Sequence, residues 1–310
     1  MTEINWVEVN NKAKELFDQK KFNEATQSFS LAISQSQDGI PTDILVNYAK
    51  CLYYNKKADE ALTIVDSVLS ENENWHELLI DRALYLNAVG RREEASNILK
   101  DLNSKDEHDP KVKFNLGWHL LHEREFEIGF EYLQYGKECR AWGNEYLYIE
   151  RGILNPEKRW KGDIYGKILY ILEGGLGDQM IFLRWVNHLV KNYGLEVIVA
   201  CDSKLQRLLT NSGYKCISLE EIRTFDYDYY IPAMSYAAID KYTMKPTSPM
   251  SHVKFPYIET HEDKFIHYQV NRYMSMNEFK GKKIGFKWFG NPEFEHDQMR
   301  TLPKDELISV

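Results

Sequence analysis

The 310-residue sequence is poor in the features that mark secreted or membrane-spanning proteins. Only four cysteines occur, and none forms a CxxC pair, which favours free thiols in a reducing compartment. The first residues, MTEINWVEVNN, contain neither a basic nor an apolar stretch, so no secretory signal is predicted. The longest apolar runs are too short to span a bilayer. Together these absences predict a cytoplasmic protein.

Excess positive charge is also missing from the sequence. The formal net charge is −8, and no long basic run occurs. Because binding to phosphate backbones needs a basic patch, we expect neither nucleic acid nor an anionic membrane as a partner. The content of 43% hydrophobic and 28% charged residues is typical of a globular protein. At roughly 150 residues per domain, the length predicts about two domains.

The first half of the sequence contains an internal repeat of about 34 residues. Two small residues lie 12 positions apart in each unit; a leucine follows the first by three positions, and an apolar residue follows the second by four. The four units are Ala13, Leu16, Ala25 and Phe29; Ala49, Leu52, Ala61 and Val65; Ala83, Leu86, Ala95 and Leu99; and Gly117, Leu120, Gly129 and Leu133. Small residues let two helices approach closely, and an apolar stripe needs a stacked neighbour to bury it. The pattern therefore predicts stacked helix–turn–helix units.

The period and the small-residue positions resemble tetratricopeptide repeats, most clearly in FNLGWHLLHEREFEIGFEYL. The resemblance implies a helical repeat array over residues 1–142, of a kind that mostly binds proteins or peptides. A polar residue lies two positions before the first small residue of each unit: Asn11, Asn47, Asp81 and Asn115. In protein O-glycosyltransferases with such repeats, an asparagine ladder binds an extended peptide, which implies a peptide-binding groove here. The alternative is that asparagine is simply common at this position.

After the repeats, the period of the apolar residues changes. Residues 143–163 mix aromatic, glycine, proline and charged residues, which predicts a packed connector. The segments KILYIL, EGGLGD, QMIFLRWVNHLVKNY and LEVIVACD then read as strand, loop, helix and strand, and further short strands are predicted near 215–218 and 226–231. Runs that are apolar on both faces predict a parallel sheet covered by helices. We assign a Rossmann-like domain to residues 164–279.

The loop EGGLGD follows the first predicted strand, at the sheet edge where doubly wound domains bind ligands. Glycines permit a tight turn and close backbone approach, and the following helix presents unpaired N–H groups. The motif is not GxGxxG, so no dinucleotide site is predicted. The alternative is a plain strand–helix turn with Asp178 as the helix N-cap. Asp202 is likewise predicted to be a helix cap, and Glu173 a strand-end carboxylate without a role.

A second strand–glycine loop–helix unit begins in residues 280–310, where KIGFKW leads into FGNP and then RTLP. The two motifs, in this order behind the repeats, resemble tetratricopeptide-repeat glycosyltransferases. These are related to the heptosyltransferase-like enzymes, which have two Rossmann domains in the GT-B fold. The match runs from about residue 110 to the C-terminus. Gly174 replaces the usual Gln of the first motif, and Thr301 replaces the usual Ser of the second.

The resemblance implies transfer of a sugar from a nucleotide-sugar donor to an acceptor hydroxyl on a protein or glycan. It implies an inverting reaction without a metal or a cofactor other than the nucleotide-sugar co-substrate. Asp178 matches the aspartate that acts as base, although a helix N-terminus lowers the basicity of a carboxylate. Arg300 matches an arginine able to pair with the donor diphosphate. Substrate or donor contacts are implied for Gly174, Gly175, Gly177, Gln179, Trp288, Gly290, Asn291 and Arg300.

The second Rossmann domain is short in this sequence. A complete domain needs roughly 130–150 residues, and about 30 follow Gly281. The resemblance places the donor site mostly in that domain, so we expect the chain alone not to transfer sugar. A separate chain that supplies the second domain is an expected partner. The alternative is a non-catalytic, repeat-based binding scaffold with a vestigial transferase domain. The sugar, nucleotide, acceptor and oligomeric state are not determined by the sequence.

Overall fold

The structure is a computed structural model that describes residues 6–35, 39–162 and 166–239, together with positions 257, 258, 268 and 272. The chain divides into two compact units, and among the described residues the division falls between Lys105 and Asp106. Three of the predicted helix pairs belong to the first unit. The fourth pair belongs to the second unit, together with the connector and a parallel sheet.

The first unit consists, in its described residues, of helices that pack consecutively along the chain. They are α1 (Trp6–Asp18), α2 (Phe22–Gln35), α3 (Thr42–Tyr54), α4 (Ala58–Glu71), α5 (His76–Ala88) and α6 (Arg92–Lys105). The small, leucine and apolar positions of the predicted repeat are all buried in these helices. Both alanines of the second pair, Ala49 and Ala61, are fully buried. The prediction of a tetratricopeptide-like helical array is confirmed.

Each helix pair turns through a residue in the left-handed region of the backbone. These residues follow the period of the repeat: Lys20 (φ 60°), Lys56 (φ 63°), Gly90 (φ 84°) and Arg124 (φ 70°). The next residue then donates its N–H to the carbonyl of the repeated leucine, as from Lys57 to Leu52 (2.9 Å). This bond satisfies a carbonyl at the end of the first helix. Glycine occupies only one of the four positions, so the sequence does not reveal this left-handed turn.

The second unit begins with α7, where Asp109 is the N-cap and accepts hydrogen bonds from the N–H groups of Lys111 and Val112. Its described elements are α7 (Pro110–His122), α8 (Phe126–Leu133), a 3-10 helix (Gln134–Lys137), α9 (Glu145–Glu150), a 3-10 helix (Pro156–Lys158), β1 (Lys167–Ile171), α10 (Leu176–Leu183), α11 (Val186–Tyr193), β2 (Glu196–Cys201), α12 (Ser203–Asn211), β3 (Cys216–Ser218), a 3-10 helix (Leu219–Arg223), β4 (Tyr229–Pro232) and α13 (Ala233–Ile239).

The segment QMIFLRWVNHLVKNY, predicted as one helix, contributes to two helices, α10 and α11. Its Phe182 carbonyl accepts a hydrogen bond from the Tyr170 hydroxyl (2.9 Å) near the interruption.

The sheet has four strands in the order β3-β2-β1-β4, and every pairing is parallel. Strand β1 lies at the centre, with Leu169 paired to Ile198 of β2 and to Tyr230 of β4. Both faces of β1 are covered by separate apolar clusters. One of these clusters also contains Leu133 of α8 and Trp142 of the connector. The predicted parallel sheet is confirmed, and the fourth helix pair shares its core.

Candidate functional site

The glycine-rich loop lies at the carboxyl end of the central strand β1, and residues 174–178 are exposed. Gly174 has a left-handed backbone (φ +75°), and a Cβ there would lie 2.9 Å from Oδ2 of Asp178. Glycine at this position therefore satisfies both the backbone conformation and the available space. The loop has the position and the exposure that the sequence predicts.

Asp178 is the third residue of α10, so the alternative that it is the N-cap needs correction. The N-cap is Gly175, since the helix begins at Leu176. Asp178 holds this turn from within the helix, because its Oδ2 accepts a hydrogen bond from the N–H of Gly175 (3.0 Å). By contrast, Asp202 is the N-cap of α12 as predicted, and it accepts from the N–H of Lys204 (2.9 Å).

Gln179 is buried beneath the loop, and both ends of its side-chain amide are hydrogen-bonded within the protein. Its Nε2 donates to the carbonyl of Gly174 (3.3 Å), and its Oε1 accepts from the N–H of Asp202 (2.9 Å). Gln179 thus ties the loop after β1 to the carboxyl end of β2. Gly177 is exposed in the first turn of α10, and the space that its Cβ would occupy is open.

Glu173, for which the sequence also allows a strand-end carboxylate with no role, has a clear structural role. Its buried carboxylate accepts hydrogen bonds from the backbone N–H groups of Asn144 (2.6 Å), Glu145 (3.1 Å) and Met234 (3.3 Å). Burial raises the pKa of Glu173, although these N–H groups favour its charged form. A Cβ at Gly143 would come within 2.6 Å of this carboxylate. Glu173 therefore joins the connector to β1 and to α13, which follows β4.

A second buried carboxylate, Glu145, lies at the start of α9 and joins other parts of the second unit. It accepts hydrogen bonds from Nζ of Lys137, from Nε of Arg159 (2.7 Å) and from the hydroxyl of Tyr230 (3.1 Å). Lys137 also donates to Oγ of Ser235 (2.6 Å) on α13. Burial alone would raise the pKa of Glu145, but Lys137 and Arg159 outweigh it and lower that pKa. The sequence offers no signal for this cluster, because its members are scattered along the chain.

The predicted groove residues lie on the first helix of each pair. In the first unit, Asn11 is exposed on α1, Asn47 is half-buried on α3, and Asp81 is half-buried on α5. Asp81 forms an ion pair with Lys50 (3.5 Å), whereas the Asn11 and Asn47 side chains make no hydrogen bond with residues 6–35 and 39–105. Asn115, on α7 of the second unit, donates to the carbonyl of Lys111 in its own helix (2.8 Å).

The site residues of the second motif, Trp288, Gly290, Asn291 and Arg300, lie outside the described residues. Within the described ranges, no three His, Cys, Asp or Glu side chains are grouped so that they could hold a metal ion. None of the helices in those ranges has both the length and the apolar character needed to cross a bilayer. The structure thus shows the first motif as one loop, and the second motif stays a prediction from the sequence.

No family model matches the sequence, and no curated protein matches it. Among solved structures, a tetratricopeptide repeat protein from Parabacteroides merdae is similar at 18% identity (TM-score 0.37); the match covers 43% of this chain and 53% of that one. YrrB, described as a TPR protein with an unusual peptide-binding site, is 16% identical (TM-score 0.37; 47% and 75% covered). The first TPR of Spaghetti, bound to an HSP90 peptide, is 16% identical (TM-score 0.34; 39% and 95% covered). This chain thus spans about half of the Parabacteroides protein.

Proposed function

We propose that the first unit binds an extended peptide along the first helices of its repeats. The observation that carries this proposal is the recurrence of Asn11, Asn47 and Asp81 at one position of three consecutive helix pairs. An amide side chain has both donors and acceptors, so it can pair with a peptide N–H and a peptide carbonyl together. The side-chain amides of Asn11 and Asn47 are available for such hydrogen bonds, because they make none within the described part of the first unit.

The third position differs from the other two, because it is a carboxylate. Asp81 accepts only, and Lys50 lies 3.5 Å from it. A peptide bound along this row therefore meets amides at two positions and an ion pair at the third. We infer that the bound segment runs past α1 and α3 in an extended form and places a polar or charged side chain near Lys50 and Asp81.

The test is a selection from a peptide library, followed by affinity measurements on the selected peptides with the full chain. Asn47→Ala removes two or three hydrogen-bonding groups and should weaken binding by about 0.5–1.5 kcal/mol per bond lost, or roughly 2- to 10-fold. Asn87→Ala is the matched control, since Asn87 is exposed near the end of α5 and lies outside the row. Equal affinity of the two variants for every selected peptide would contradict the proposal.

We further propose that the second unit is the acceptor-side half of a nucleotide-sugar glycosyltransferase. The supporting observation is the exposed glycine loop at the carboxyl end of β1, in a parallel sheet of order β3-β2-β1-β4. In open parallel sheets, ligands bind at the carboxyl ends of the strands, at the point where the strand order reverses. Here that point lies between β1 and β4, where Gly174 begins the loop.

In this proposal, Asp178 takes the proton of the acceptor hydroxyl as its oxygen bonds to the sugar; the bond between the sugar and the nucleoside diphosphate breaks, and the diphosphate leaves. Its Oδ2 is held by the N–H of Gly175 (3.0 Å), and its Oδ1 has no hydrogen-bond partner among the described residues. One oxygen therefore orients the carboxylate, and the other remains available to a hydroxyl. Gln179 acts as a positioning residue, because its amide connects Gly174 to the end of β2.

The test separates binding at the loop from turnover. The full chain is incubated with a panel of nucleotide sugars, free nucleoside diphosphates and acceptor sugars. Amide hydrogen exchange over residues 174–179 measures binding at the loop, and mass spectrometry measures sugar transfer. We expect slower exchange in the loop with an acceptor or a donor, and weaker protection in Asp178→Asn. Asp59→Asn, at an exposed position in the first turn of α4, is the control. Loop exchange that stays unchanged with every compound would remove the support for this proposal.

A further inference from the structure

A cavity of about 650 Å³ lies within the second unit. Its wall comes from the end of α8 and the 3-10 helix after it, from α9 and the connector, and from α13. Cavities of roughly 300–1,000 Å³ are the usual size of small-molecule sites. No residue of the loop 174–178 lines it. The cavity is therefore distinct from the sugar-transfer site proposed above.

The polar part of the wall is the cluster around Glu145. Lys137 and Arg159 both donate to this single carboxylate, and the buried carboxylate of Glu173 lies beside the cluster, where it accepts from the N–H of Glu145. Burial lowers the pKa of Lys137, and the neighbouring Arg159 lowers it further. An incoming negative charge would relieve this repulsion between two partly desolvated cations.

The cluster also has hydrogen-bond donors that its internal contacts do not use. The guanidinium of Arg159 is held to Glu145 through Nε, and its two terminal amino groups have no hydrogen-bond partner among the described residues. Ser235 accepts from Lys137 through Oγ, so its own hydroxyl hydrogen remains to be donated. A planar fork of two N–H groups matches the two oxygens of a carboxylate or a phosphate.

The remaining residues of the cavity wall limit the kind of ligand that can bind. Tyr146, Ile149, Pro156, Ala238 and Ile239 present carbon surface to the cavity. An inorganic ion would leave most of the volume unfilled, whereas an organic body would be in contact with these side chains. Two further carboxylates, Glu131 and Glu138, also line the cavity and are exposed. They favour a carboxylate over a phosphate monoester, because repulsion increases with each added negative charge.

We propose that this cavity binds a small organic anion, with its carboxylate or phosphate group on Arg159, Lys137 and Ser235 and its apolar or aromatic body against Ile149 and Ala238. Glu145 is then a positioning residue: it touches no ligand atom but holds Lys137 through Oε2 and Arg159 through Oε1. The proposal is independent of the peptide and glycosyltransferase functions proposed above.

The experiment titrates the full chain with phenylacetate, phenyl phosphate, phenylacetamide and phenylethylamine, using calorimetry and the shift in melting temperature. Phenylacetate and phenyl phosphate share one ring and differ in the anionic group, so the two arms distinguish carboxylate from phosphate. We expect saturable binding of at least one of them and none of the neutral amide or the amine. Binding of the amide as tight as that of the anions would overturn the proposal, and so would the absence of saturable binding by both anions.

Two variants test the same site in different ways. Arg159→Lys keeps the charge beside Glu145 but removes the fork, and it should weaken anion binding by about tenfold. Ala238→Phe fills the cavity without altering the charged cluster, and it should abolish binding while circular dichroism and the melting temperature show that the chain is folded. Arg151→Gln, at an exposed arginine outside the cavity, is the control and should bind as the wild type does. Wild-type affinity in Ala238→Phe would place the anion elsewhere and overturn the assignment.

Discussion

The two units of this chain hold their interiors together by different means. In the described part of the first unit, the buried polar residues are the neutral Asn10 and Ser96, and the rest of the interior is apolar. In the second unit, two buried carboxylates, Glu145 and Glu173, connect segments that are far apart in the sequence. A repeated apolar pattern is enough to assemble similar helix pairs, whereas joining a helix pair, a connector and a sheet here involves specific polar contacts. Four predictions test this contrast.

The largest effect is expected from removing the carboxylate at the centre of the charged cluster. Glu145→Ala leaves Lys137 and Arg159 partly buried without their common partner, which should lower the stability of the second unit by about 3–5 kcal/mol. The measurement is hydrogen exchange over residues 106–239 against residues 6–105. Glu94→Ala, which breaks the exposed pair with Arg91, is the control and should change little. Equal and small effects of the two substitutions would remove the contrast between the units.

A smaller effect is expected at the small-residue positions of the first unit. Ala61 is fully buried on α4, which packs against α3, so Ala61→Leu has to separate the helices or distort side chains. Overpacking of this kind should lower the free energy of unfolding by about 1–3 kcal/mol. Urea unfolding provides the measurement, with Ala88→Leu at the exposed end of α5 as the control. If Ala61→Leu were as stable as its control, the small residue would not set the distance between helices.

The left-handed turns offer a matched pair of substitutions within the repeats. Gly90 has φ 84° and open space around its missing Cβ, so Gly90→Ala should cost about 1–2 kcal/mol through backbone conformation alone. Lys56 has φ 63° at the equivalent turn, and Lys56→Gly should raise stability slightly. Thermal unfolding of both variants checks the opposite signs. Loss of stability in Lys56→Gly would show that the lysine side chain matters more than its backbone strain.

The smallest effect is a difference in pH dependence. The pKa of Glu173 is raised in the folded chain, mainly by burial, so its contribution to stability is fully present below its unfolded pKa of about 4.3 and is lost as pH rises through the folded pKa. Glu173→Gln removes this titration. Measured by urea unfolding from about pH 4 to about pH 8, the stability of the wild type relative to Glu173→Gln should fall as pH rises. A constant difference would mean that Glu173 does not titrate in this range.

The helix repeats and the positions of the strands along the chain could be predicted, because both depend on residues that are close together in the sequence. Ala49 and Ala61 lie in the two helices of one pair, which pack against each other, so the pair appears in the sequence as a short and regular spacing. The strands Cys216–Ser218 and Tyr229–Pro232 likewise lie close to where short apolar runs predict them. Asp202 was identifiable as a cap because it directly precedes a helical segment.

Other features of the candidate sites could not be predicted, because they depend on residues that only folding brings together. Lys137 and Ser235 are 98 positions apart, and Glu173 and Met234 are 61 apart. Nothing in the sequence around Glu145 shows that its carboxylate is buried between two cations. The N-cap of α10 was misplaced for a local reason: a glycine can be an N-cap while the aspartate three residues later supplies the hydrogen bond.

Local sequence patterns are enough to predict the helix pairs, the spacing of their buried small residues and the glycine loop after the first strand. These follow from the period of apolar residues and from the backbone freedom of glycine, both of which are local properties. Three other features depend on the folded chain: the fourth helix pair joins the sheet, Glu173 and Glu145 connect parts of the second unit, and a cavity forms beside Arg159. Burial and charge pairing arise between distant residues, so they exist only once the chain has folded.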